Sequence, residues 1–119
     1  MKPYEEQGLV RIIDVELSVV KAFYSKFGSL YKAEVHPGEK ETLAFLCTSS
    51  ENWQVCSADH VVFRVLGLLN KAEQGVSLDE ILVKVGLSQN NLEWEYTKRF
   101  REKWTRKGQI DSIQDKGLL

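Results

Sequence analysis

The sequence predicts an α/β fold, helix-rich, with a small parallel sheet of two to three short strands. Two short β-branched runs, Leu9–Val15 after Gly8 and Trp53–Ser57 after a polar connection, have the length and composition of buried strands. Between and after them, apolar residues recur at three- and four-residue spacing, the mark of helices packed on one face. With 119 residues, 43% hydrophobic and only 2 Pro, the chain suits one core and excludes disordered and fibrous classes.

Taken in order, the Leu9–Val15 strand leads into a helix whose stripe is Val19, Val20, Phe23, Phe27, Leu30 and Tyr31, weakened or divided at Gly28. His36-Pro37-Gly38 breaks the chain, and a second helix runs from about Glu39 to Thr48. The Trp53–Ser57 strand ends at Ala58-Asp59. His60 to Asn70 is so rich in Val and Leu that it must pack on two sides. Ser77 and Glu80 have the spacing of a capping box, with Gly86 ending the short helix that follows. From Ser88, the four-residue steps Leu92, Tyr96, Phe100 and Trp104 predict a long helix stopped at Gly108, leaving Ile110–Leu119 loose.

The net charge of -1 predicts no bulk attraction to nucleic acid or anionic membrane, but the charge is unevenly spread. Lys98-Arg99-Phe100-Arg101-Glu102-Lys103-Trp104-Thr105-Arg106-Lys107 interleaves basic and aromatic side chains, a pattern that grips phosphates and stacks bases. The competing reading puts Phe100 and Trp104 in the core with Lys98, Arg99, Arg101, Lys103, Arg106 and Lys107 on a solvated face. No apolar run has membrane-spanning length, and the acidic N-terminus is unlike a signal peptide, so the expected compartment is the cytoplasm. Cys47 and Cys56 are expected to be reduced, buried thiols.

Three acidic residues at two places are the candidates for chemistry. Glu39 and Glu41 fall in the first turn of a helix, where the backbone dipole favours carboxylates, and Asp59 ends a strand just before a helix. Each has a plain structural explanation as helix-start decoration or cap.

In combination, Gly38-Glu39-x-Glu41, the strand Val55-Cys56-Ser57-Ala58-Asp59, and Gly75-Val76-Ser77 leading into a helix resemble the C-terminal half of a PIN domain, a metal-dependent nuclease often found as a toxin component. The resemblance spans roughly residues 8–87, giving a PIN-like C-terminal portion over 1–87 and a basic helix with tail over 88–119 packed on the same domain. It implies Glu39 and Asp59 as catalytic and metal-binding acids, Glu41 as neighbour or substitute, and Ser57 as the residue that orients Asp59 or a metal-bound water. The implied cofactor is Mg²⁺ or Mn²⁺, since hard cations take carboxylate oxygens and activate water for phosphodiester hydrolysis. RNA is the implied substrate and an antitoxin-type protein a candidate partner.

The family's upstream acids have no counterpart, because Asp14 lies too close to Glu39 for the intervening elements. The expectation is therefore a truncated PIN-like fold with an incomplete acidic site, whose missing strand exposes edges that favour a homo-oligomer. Two other classes compete. Residues 77–107 have the helix, glycine turn, helix order of a nucleic-acid-binding helix-turn-helix, although Glu93 and Glu95 would repel phosphate at its reading end. A non-catalytic protein-interaction module is the third.

Overall fold

The computed structural model describes residues 13–119. The predicted Leu9–Val15 strand lies mostly outside them, and its described part, Ile13 to Val15, is not a strand. The elements run α1 (Leu17–Tyr24), α2 (Ser29–Glu34), α3 (Pro37–Thr48), β1 (Val55–Cys56), α4 (His60–Leu68), a 3₁₀ turn (Ala72–Gln74), β2 (Gly75–Val76), α5 (Leu78–Lys84), a second 3₁₀ turn (Trp94–Tyr96) and α6 (Lys98–Ile113). The fold is helix-rich with a two-stranded parallel sheet, in which Val55 pairs with Gly75 and Cys56 with Val76. Parallel pairing needs a crossover, and α4 supplies it.

Helix α4 is the centre of the molecule. Val61 through Leu68 are all buried, which explains an apolar composition too rich for a surface helix. Phe23, Phe27 and Tyr31 from α1, α2 and their junction cover one side with Leu43, Ala44 and Leu46 of α3. Rings of Phe23 and Phe27 meet edge-on at 5.2 Å, and Phe27 stacks on Tyr31 at 5.9 Å. The predicted first helix is divided at Gly28, which turns Leu30 out of the stripe to 46% exposure.

Helix α6 covers the other side of α4. The two meet backbone to backbone. A Cβ on Gly67 would collide with the Thr105 carbonyl, and one on Gly108 with the Arg64 carbonyl. Gly108 therefore sits inside α6 as a crossing point, correcting the expectation that it ends the helix. The helix start is corrected too. Asn91 takes a left-handed φ of 66°, and Thr97 caps the helix by accepting from the Phe100 N–H at 3.3 Å. Asp79 accepts from the Lys98 N–H at 2.9 Å, joining α5 to that start.

Two expectations fall with this shift. Residues 85–97 separate α5 from α6, where a helix-turn-helix joins its helices by three or four residues, so the second helix predicted from Ser88 is not formed there. The C-terminal residues are not loose. Asp111 is buried, Leu118 bridges to Phe27, and the Leu119 N–H donates to the Lys26 carbonyl at 2.8 Å. The capping box is formed as expected, with the Ser77 N–H donating to Glu80 Oε1 at 3.1 Å and the Glu80 N–H to Ser77 Oγ at 3.4 Å; Gly86 follows at a φ of 77°.

Candidate functional site

Two helix N-termini converge beyond the carboxyl end of β1. Ser57 Oγ accepts from the Asp59 N–H at 3.0 Å, fixing the turn that leaves the strand. Asp59 Oδ1 accepts from the Val61 N–H at 3.1 Å and so caps α4. At the head of α3, Pro37 opens the helix and Glu39 Oε2 accepts from the His36 N–H at 3.2 Å. The capping roles expected of Glu39 and Asp59 are both real. They also aim the two carboxyls at each other.

The two carboxyls are within hydrogen-bonding reach of each other. Burial and the hydrogen bond to Asp59 push Glu39 up to about 7. For Asp59, burial pulls upward, but hydrogen bonds with Glu39 and the Val61 N–H outweigh it and hold the carboxyl below its usual range. Two carboxyls sharing one proton below neutrality become a concentrated double negative charge above it.

The pair borders two hollows. An open one of about 780 Å³ is lined by Ala33, Glu34, His36, Ser57, Ala58, Asp59 and His60. A smaller one of about 330 Å³ lies between Glu39, Thr42, Cys56 and Val62. His60 stands at the rim, with Nδ1 3.7 Å from Asp59 Oδ1 and Nε2 3.7 Å from Glu34 Oε2. Its ring packs on Trp104 of α6 at 4.5 Å. Over that indole lie the ammonium groups of Lys103 and Lys107, 5.3 and 5.5 Å from the ring centre. The acidic pair and the basic helix thus meet through one histidine and one tryptophan.

The other predicted residues divide. Glu41 is exposed and lines a separate hollow with Ile13 and Phe45, because two helical residues turn it about 200° from Glu39. It does not join the pair. Arg99, Lys103 and Arg106 share an open hollow of about 340 Å³, and Lys98 and Lys107 are also exposed. Arg101 is spent internally, donating to Glu80 from Nε at 2.6 Å and from Nη2 at 3.3 Å. Cys47 is half-buried and Cys56 exposed, so the expectation of two buried thiols holds for neither fully; both are free of disulfides.

Among the described residues, no group of three or more His, Cys, Asp and Glu side chains is placed to hold a metal ion. Two adjacent carboxylates still suit a mostly hydrated Mg²⁺ or Mn²⁺, which binds through one or two carboxylates and completes its shell with water and substrate phosphate. Glu39 and Asp59 would hold such an ion, and Ser57 acts on Asp59 through its backbone N–H.

Sequence reasoning missed Glu34 and the role of His60 beside Trp104, since nothing in their spacing reveals that α2 lines the same hollow as His60 or that Trp104 of α6 packs on His60. No described helix is long and apolar enough to cross a membrane. No family model, curated protein or solved structure matches the chain.

Proposed function

We propose that the chain carries a PIN-like, metal-dependent ribonuclease site reduced to the Glu39 and Asp59 carboxylates, working in the cytoplasm on single-stranded RNA. The observation that carries this reading is the packing of His60, 3.7 Å from Asp59, on Trp104 at 4.5 Å, which links the acidic pair to the indole that Lys103 and Lys107 overlie. A phosphate chain held by Lys103 and Lys107, which overlie Trp104, would approach the carboxylates by way of His60. Mg²⁺ or Mn²⁺, when bound, supplies a Lewis acid and an activated water. The chain's own residues position the ion, and His60 faces the path between cation strip and acid pair.

With two carboxylates the ion is held weakly, so association with a second copy that adds donors fits the reading. Among the described residues β1 pairs with β2 alone, which leaves an edge for such association. The deciding measurement is cleavage of a labelled single-stranded RNA during Mn²⁺ titration, with Asp59→Asn beside the parent chain. Asparagine is as good an N-cap as aspartate, so the fold is retained while a charged ligand is lost. Loss of cleavage and of Mn²⁺ binding is expected. Cleavage that continues unchanged in Asp59→Asn refutes the site.

A further inference from the structure

A second hollow, of about 470 Å³, lies between α2 and the outward face of α6. Its floor is aliphatic: Leu30 is 46% exposed and Ile110 45%. Lys103, Arg106, Lys107 and Lys116 stand around it. Of the other lining residues, Arg64 and Asp111 satisfy each other at 2.8 Å. The salt bridges among the described residues engage Arg64, Arg101 and His60 and leave the four rim cations out. Ile113, one turn beyond Ile110, is 83% exposed and extends the apolar strip.

We propose that this hollow docks an acidic peptide segment bearing an aliphatic anchor, with the anchor on Leu30 and Ile110 and its flanking carboxylates on the four cations. Charge complementarity selects an anion, because the rim carries four positive side chains and the one carboxylate present is already neutralised. The aliphatic floor selects the kind of anion. A nucleic acid offers phosphates but nothing to cover Leu30, Ile110 and Ile113, and no aromatic ring among the described residues lines this hollow for a base to stack on. A peptide with leucine or isoleucine between acids satisfies both halves of the site, as anchors in pockets with polar rims do at other interfaces. The inference does not depend on the acid pair, since neither Glu39 nor Asp59 takes part, but it shares Lys103 and Lys107 with the RNA path proposed above. It has a regulatory consequence: a docked peptide covers Lys103 and Lys107 and competes with RNA for them.

The test is fluorescence anisotropy on the full chain with three probes: a labelled peptide of repeating Glu-Leu-Asp-Glu units, a polyglutamate of equal charge, and an oligouridylate. The leucine peptide is expected to bind about tenfold more tightly than polyglutamate, the worth of one buried aliphatic anchor. Leu30→Ser with Ile110→Ser should erase that preference and leave oligouridylate binding unchanged. Both positions are half exposed, so thermal unfolding should barely move. Equal binding of the two peptides, or a preference that survives the double substitution, overturns the proposal. Loss of oligouridylate binding with retained peptide binding overturns it in favour of a nucleic-acid surface. The Asp59→Asn chain should bind the leucine peptide like the parent, which separates failure here from failure of the nuclease reading.

Discussion

Arg64 and Asp111 form a buried ion pair, Nε to Oδ2 at 2.8 Å, with each side chain 8% exposed. The Tyr31 hydroxyl donates to the same oxygen at 2.6 Å, so one carboxylate ties α2, α4 and α6 together. Burial alone would raise the Asp111 pKa, but the bonds from Tyr31 and Arg64 outweigh it and hold the carboxyl below its usual range. Removing one member of a buried pair strands the other charge, at about 3–5 kcal/mol. Asp111→Ala should therefore lose that much in urea unfolding. Because the folded-state pKa is depressed, the stability from this group is present above the ordinary aspartate range and fades as pH falls through the lowered value. An Asp111→Ala chain as stable as its parent would show the pair to be dispensable.

The same helix pair depends on two missing side chains. An added Cβ at Gly67 or Gly108 meets a carbonyl of the opposing helix, and backbone cannot swing aside as a flexible side chain can. Gly67→Ala and Gly108→Ala should each cost about 3 kcal/mol or more. Alanine otherwise favours a helix over glycine by about 1 kcal/mol, so a net stabilisation in thermal melts would mean α4 and α6 do not approach this closely.

These helices also show where sequence reading succeeds and where it stops. Ser77 with Glu80, and Asp59 ahead of α4, were legible because caps are local: acceptor and donor lie within one turn. The pairing of Glu39 with Asp59 was expected only from the resemblance to a PIN domain, since periodicity brings neither near the other. The start of α6 was misplaced because Leu92, Tyr96, Phe100 and Trp104 keep four-residue steps across a 3₁₀ turn as well as along a helix. Gly108 reads as a stop when only its own neighbours are known, and its packing function exists only opposite Arg64. Asp111 likewise looks like tail decoration until its distant partners are brought alongside it.

The raised Glu39 pKa has a consequence for stability and another for metal binding. The folded chain keeps a proton on Glu39 that the unfolded chain releases above 4.5. The stability this group contributes is complete below 4.5 and is lost as pH rises through about 7. Glu39→Gln should flatten that part of the stability profile. A cation must displace the same proton, so the rise in melting temperature on adding Mn²⁺ should be larger at about pH 8 than at about pH 6. A pH-independent Mn²⁺ effect would place the ion elsewhere.

The basic residues of α6 should separate by role. Arg99, Lys103, Arg106 and Lys107 are exposed, whereas Arg101 is held by Glu80 through two hydrogen bonds. Replacing the four exposed cations by alanine should weaken RNA binding and reduce its dependence on salt, by about 0.7 in the logarithmic slope for each phosphate no longer neutralised. Unfolding should hardly change, since solvated surface charges contribute little to stability. Arg101→Ala should do the reverse. It cuts a charge-assisted link between α5 and α6, worth about 1.5–3 kcal/mol, and should leave the salt slope where it was. Filter binding across a salt series, run beside urea unfolding, checks both. If Arg101→Ala lowers the salt slope as much as any one of the four, its guanidinium leaves Glu80 for phosphate, and the division of labour along the helix is wrong.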